Sequence, residues 1–343
     1  MAGSYSPSYG KQYNVDTFGS YTILLGVSLV YWVVGYINSI GYPVYSEVFA
    51  TPLWDAVCRI LPNKGITYLV GILLIAGGAT LIHRANYILV IIREKTFLPP
   101  LLYILFISTN PSFFPFKSTS IGIFCLILAV YQLFVSYHDP KSVDRAFNAT
   151  LFIGIGSLLW VHILWFLPLF WLGMFNFKSL NLRTFMASLM GVSTVLWFLL
   201  GWCVLTDDFS AFAIPFAAFT KISFFDITSP GLIDWVIIAY VGLFVLIASV
   251  DILIHEHEEN IRTRQYLYFL IIFFLVAFGL FFLYESSSDE YFCIACMPAS
   301  ILIAHLFAVK KRKRWYRFYH VSVLIFIALT FFRLWSSSLI IAI

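Results

Sequence analysis

Apolar residues come in long runs along this chain, and polar residues gather between the runs. A run of about 18 or more residues can cross a hydrocarbon core about 30 Å thick as a helix. The runs predict spans at Phe18 to Ile37, Ile66 to Ile82, Ser118 to Tyr137 and Thr184 to Leu205. Four more follow at Leu232 to Leu253, Tyr266 to Tyr284, Phe292 to Val309 and Phe318 to Trp335. A shorter run covers Phe97 to Ser108. The stretch Ala146 to Phe175 is too long for one upright helix and holds Gly154, Gly156 and Ser157 near its middle, so it reads as two short passes. The pattern therefore predicts an all-α, polytopic transmembrane helical bundle of about eleven spans, some short or paired. The bundle fills 18–335 of a single integral membrane domain, 1–343. No small-residue cleavage site follows the first run, which begins near Tyr21, so it reads as a retained helix.

Composition agrees with the pattern. Of 343 residues, 61% are hydrophobic, 19% aromatic and only 11% charged. A soluble domain is roughly a quarter charged. The mean hydropathy of +0.90 leaves no room for a separate soluble domain. Membrane lipids are the expected surroundings, and no nucleic-acid partner is expected.

Charge sets an expected orientation, because Lys and Arg stay on the cytoplasmic side. The run Lys310-Lys311-Arg312-Lys313-Arg314 lies between two apolar spans. Placing it in the cytoplasm puts sixteen of the 21 Lys and Arg residues inside and leaves five outside, Arg59, Lys64, Lys117, Lys221 and Arg333. The expectation is a bacterial inner membrane protein with a cytoplasmic N-terminus and a periplasmic C-terminus. A single pass over Ala146–Phe175 would invert everything before it and move Arg93 and Lys95 outside.

Two periplasmic loops, 38–65 and 206–231, are then long enough to carry interfacial helices. The first contains Glu47 and Asp55, and Pro52 to Leu61 reads as a short amphipathic helix with Trp54 suited to the membrane interface. The second opens with Asp207 and Asp208, after which Phe209, Phe212, Phe216 and Phe219 follow at helical spacing. That spacing suits a helix lying in the interface, either packed on the bundle or acting as a lid over a lipid-facing site.

Other groups bear less weight. Cys293 and Cys296 share one helix face, as small buried residues often do. The alternative is a redox pair of a membrane thiol oxidoreductase. His255-Glu256-His257-Glu258-Glu259 lacks the zinc spacing and reads as a solvated helix end. His162 and His305 lie inside spans and read as neutral histidines bonded to neighbouring helices. No cofactor is evident, and no spacing specifies a divalent metal. No phosphate-binding glycine loop appears, which leaves an ATP-driven pump without support.

Two resemblances add to this reading. The stretch Asn86 to Trp202 resembles an uncharacterised family of multi-pass inner-membrane proteins of Bacteroidota. The likeness lies in Arg93 to Leu98, in Phe147 to Leu159, in Leu167-Pro168-Leu169 and in Leu182-Arg183-Thr184-Phe185. The layout as a whole is similar to the GT-C superfamily of polyprenyl-phosphate-dependent glycosyltransferases. Ser46-Glu47 follows the first span where that family places an acid. The resemblance implies a GT-C-like transferase acting on a polyprenyl-linked sugar at the periplasmic face. Glu47, or Asp55 after it, would be a general base or help to hold a divalent metal, and Asp207 and Asp208 would supply a second acid. The chain departs from that family in having no paired-acid motif in the first loop and no C-terminal soluble domain. The alternatives are a non-catalytic subunit or scaffold with an envelope protein partner, and a lipid or small-solute transporter.

Overall fold

In the computed structural model, residues 15, 17–38, 52–60, 63–110, 113–207, 216, 217, 219, 231–310 and 313–341 are described. Among them the chain is helical, without a strand. The helices are α1 Phe18–Asn38, α2 Pro52–Ile60, α3 Lys64–Leu89, α4 Leu98–Ile107, α5 Ser118–Val135 and α6 Val143–Leu159. They continue with α7 Leu167–Asn176, α8 Leu182–Leu205, α9 Leu232–Ile254, α10 Ile261–Leu283, α11 Ser288–Val309 and α12 Lys313–Ile341. A 3₁₀ segment, Val161–Phe166, leads into α7. Eight of these helices are long and apolar enough to cross a membrane, namely α1, α3, α5 and α8 to α12.

Side-chain and backbone contacts sort the helix termini into two ends. At one end the Phe97 amide donates to the Tyr21 hydroxyl, and the Thr263 hydroxyl donates to the carbonyl of Val90. There too the Tyr266 hydroxyl donates to the carbonyl of Phe134, and Lys310 pairs with Asp251 at 2.8 Å. At the other end the Phe116 amide donates to the carbonyl of Thr67, and Asn110 donates to Asp289. Arg333 joins that end by donating to the carbonyl of Thr109 and pairing with Asp234. These are the Arg93 end and the Lys117 end below.

Helix α11 is the centre. Every residue from Tyr291 to Ala308 is buried, and α4 is buried along its whole length beside it. A helix that is apolar on all sides belongs inside a bundle. By contrast, α1, α8 and α12 leave large apolar side chains open, as lipid-facing helices do.

The stretch Ala146–Phe175 does break in two, but not at its glycines. The break is at Trp160, whose backbone is extended (φ −143°, ψ 99°). Beyond it the chain returns to its starting end, where the His138 amide donates to the carbonyl of Phe177 at 3.0 Å. Gly154 and Gly156 stay inside α6 and serve packing instead. A methyl group on Gly154 would stand 3.0 Å from Val195, and one on Gly156 would stand 3.0 Å from Ile163.

Helices α6 and α8 pack most closely. Ala146, Thr150 and Gly154 recur every fourth residue on α6, and Ala187, Gly191 and Val195 do so on α8. Without a hydrophobic drive between helices in lipid, such small residues let the backbones approach for dispersion contact. Asn181 opens α8 by accepting from the Thr184 amide, while the Thr184 hydroxyl accepts from the Asn181 amide.

Four described non-glycine residues, Val90, His138, Lys178 and Asp207, have positive φ, and Val90 is the β-branched one among them. Val90, the residue after α3, has φ 52° and ψ 51°, a region that a β-branched residue rarely enters. Val90→Gly is expected to raise stability by about 1 kcal/mol, read as a higher melting temperature in detergent.

Candidate functional site

The break between α6 and α7 lies at the Lys117 end, where several elements converge. Trp160 ends α6, and the next turn is the 3₁₀ segment, rich in β-branched and aromatic residues. Pro168 then stands in the first turn of α7, where its missing amide is no loss. This sequence buries His162 (4% exposed) in the turn. Its Nδ1 is 3.0 Å from the Tyr291 hydroxyl on α11. Rings of Tyr284, Trp160 and Phe219 surround it at 4.9, 5.4 and 5.8 Å between centroids. The Tyr284 hydroxyl donates to the carbonyl of Phe219 at 3.1 Å. Trp165 packs edge-on against Phe219 at 5.5 Å.

The first loop reaches the same place. Trp54 of α2 is buried and stacks at a tilt on Phe116, 5.2 Å between centroids, in a cluster with Leu159. Trp54, expected at the membrane interface, turns its ring to the bundle and is only 2% exposed. Leu159 and His162 flank Trp160, so both loops dock on one break.

Polar pairs encircle this end. Asp289 and Glu290 lie in the first turn of α11, where the helix dipole favours acids. Glu290 pairs with Lys117 at 3.7 Å, and Asp289 accepts from Asn110 at 3.3 Å. Arg333 pairs with Asp234 at 2.5 Å.

The residues expected to carry chemistry stand as follows. Glu47, Asp208, Phe209 and Phe212 lie outside the described residues. Asp55 is on α2, with its side chain outside the described set. Asp207 is exposed just beyond α8, with φ 53°. Phe216 and Phe219 are described, and their rings lie 6.1 Å apart. Cys293 and Cys296 are free thiols buried within α11 beside Tyr103. Thiol exchange requires access, which these two do not have in this conformation. Sequence reasoning found His162 but not its partners. The available signal was that Tyr284 and Tyr291 flank the acidic turn Glu285–Glu290, seven residues apart.

The Arg93 end holds a second polar constellation. Glu259, expected in a solvated helix end, is instead buried, its side chain 8% exposed. One carboxylate oxygen is 3.4 Å from Nε2 of His305 and 3.8 Å from Nε of Arg93. Burial pushes this carboxyl up, but His305 and Arg93 outweigh it and hold it below the ordinary carboxylate range. His305 is itself 4% exposed. The rest of the His-Glu segment matches the expectation better. Glu256 accepts from the Tyr268 hydroxyl, which with Arg264 and His257 holds it below its usual value, and His257 is exposed.

Eight long apolar helices, the buried α11 among them, define a multi-pass helical membrane protein. A family model described as a family of unknown function, DUF6427, matches residues 61–339, and the chain belongs to that family. No curated protein and no solved structure matches the chain.

Proposed function

We propose that the chain is an eleven-traverse inner-membrane protein of GT-C-like build, transferring a sugar from a polyprenyl-phosphate carrier at the periplasmic face. One observation carries this reading, the docking of both loops on the α6–α7 break through Trp54 on Leu159 and Phe219 on His162. Element order supports it as well. A long first helix, a loop with an amphipathic helix, a short buried α4, and a paired α6 and α7 follow one another, and Phe219 of the second loop lies against the break. The eleven traverses comprise the eight long helices together with α4, α6 and α7. The Lys117 end is then the periplasmic one, since most Lys and Arg fall at the other.

In this reading a carboxylate of the first loop, Glu47 or Asp55, takes the proton of the acceptor hydroxyl. The acceptor oxygen bonds to the anomeric carbon as the bond from that carbon to the carrier phosphate breaks. The polyprenyl phosphate leaves with the bonding pair. Asp207 or Asp208 would supply the second acid, and Phe209 to Phe219 would shield the site from water. The carboxylates that a divalent ion would need lie at or beyond the edge of the described residues, so the step is written without one.

The test is transfer from a labelled polyprenyl-phosphate sugar in proteoliposomes. At least one of Glu47→Gln, Asp55→Asn and Asp207→Asn is expected to lose about 100-fold or more in rate. Full activity in all three variants would sink the transferase reading.

A further inference from the structure

Four cations crowd together at the Arg93 end without matching acids. The α5–α6 turn and the α7–α8 turn are joined by the His138 amide to the Phe177 carbonyl, 3.0 Å, and by Asn181 Nδ2 to the Pro140 carbonyl, 2.6 Å. Ser136 and Ser179 meet beneath them at 3.4 Å. This junction brings Lys141 of one turn and Arg145 in the first turn of α6 to the same end of the bundle as Lys178 of the other turn and Arg183 in the first turn of α8, and all four are exposed. Among the described residues no acid lies within ion-pair distance of Lys141, Lys178 or Arg183. Arg145 donates to the neutral Gln132 at 2.9 Å. Of the two nearby acids, Asp139 accepts from the Lys141 amide, and Asp144 lies in the first turn of α6.

Immediately beside the cations the surface turns apolar. Leu172, Phe175, Leu182 and Met186 are 44, 70, 74 and 47% exposed on α7 and α8. In a bilayer these side chains meet acyl chains at the level just below the headgroups. A cationic cluster above an apolar strip matches one kind of molecule on both counts. We infer that the joined α5–α6 and α7–α8 turns form a binding site for an anionic phospholipid, its phosphate held by Lys141, Arg145, Lys178 and Arg183 and its chains lying on Phe175, Leu182 and Met186. The geometry of Lys178 fits this role. Its φ of 55° is a conformation favoured by glycine, yet an exposed lysine occupies it. Each such cation near an anionic membrane surface contributes on the order of 1 kcal/mol. The inference does not depend on the transferase reading, because the site lies at the opposite end of the bundle.

The experiment measures lipid retention by the full chain in neutral detergent, using native mass spectrometry and thermal unfolding. The probes are cardiolipin, phosphatidylglycerol, phosphatidylcholine and inorganic phosphate. The two anionic lipids should be retained and should raise the melting temperature, while phosphatidylcholine should do neither. Lys178→Gly with Arg183→Gln should weaken retention about tenfold. The glycine suits the backbone at 178, so the melting temperature without lipid should hold. Lys313→Gln with Arg317→Gln, exposed cations on α12, should leave retention unchanged. Equal binding of phosphatidylcholine overturns the inference, and so does an equal loss in the α12 variant. Displacement of the lipid by inorganic phosphate at equal concentration also overturns it, since it would show an anion site without lipid recognition.

Discussion

Gly191→Ala should destabilise the bundle by about 2 kcal/mol, and Gly191→Leu by more. A methyl group at this position has nowhere to go. It would meet the Thr150 hydroxyl, the carbonyl of Phe147 and the amide of Leu151, all on α6. Two of these are backbone atoms, so no rotamer change can relieve the clash, and α8 must move away along its length. The buried face that would open includes Ala187, Ser188, Val192 and Val195 against Thr150, Ile153 and Gly154. Unfolding in mixed micelles would measure the change. The control is Gly201→Ala on the same helix, where a methyl meets no atom within 4 Å. There the higher helix propensity of alanine should give a neutral or slightly favourable effect. Equal stability of the two variants would mean that α6 and α8 are not in the described contact.

The second large effect is expected in the polar constellation at the Arg93 end. His305→Leu removes the ring that faces Glu259 and leaves a buried carboxylate behind. Breaking one partner of a fully buried pair costs about 3–5 kcal/mol. Here Arg93 stays within 3.8 Å, with its side chain 42% exposed, and the expected loss is about 2 kcal/mol. Glu259→Gln added to His305→Leu should recover part of that loss, because no carboxylate is then stranded. The pH dependence has a definite sign. The Glu259 carboxyl is held below its ordinary value, so its contribution is present above about pH 4.3 and fades as pH falls through the lower folded value. The stability gap between wild type and His305→Leu should therefore narrow on acidification. A gap that stays constant with pH would assign the ring to packing alone. The nearby ion pairs of Glu258 with Arg93 and of Asp251 with His255 and Lys310 do not involve His305 and are present in both proteins.

Much of the bundle can be read from hydrophobic run length, because the bilayer enforces it. Leu232 to Leu253 and Tyr266 to Tyr284 are helices within a few residues of their apolar limits. Apolar runs do not mark where a helix continues into polar surroundings. For that reason α3 extends past Ile82 to Leu89, carrying His83 and Arg84. The division of Ala146–Phe175 into two helices was legible from length, whereas the point of the break was not. Glycine weakens a helix in water, but in lipid Gly154 and Gly156 permit close packing, and the interruption falls at bulky Trp160. Site geometry was the least legible. The His162–Tyr291 contact spans 129 positions and depends on how α11 sits against the break, which no local pattern records. Glu259 shows the same gap from the other direction. Its neighbours in sequence are polar, and its burial comes from His305 on a distant helix.

The length of α4 has a consequence for how the protein is made. Ten residues of helix rise about 15 Å, half of the hydrocarbon thickness. Alone in a bilayer, α4 could not bring both of its ends to water, and its terminal carbonyls and amides would go unmet. Its main partner is α11, which the ribosome produces after most of the other helices. The early helices α1 and α3 cover part of α4, and its burial is completed only when the late helix arrives. A truncation that ends before Ser288 would then release the early segments with their topology unsettled, a substrate for membrane proteases rather than a smaller version of the same bundle.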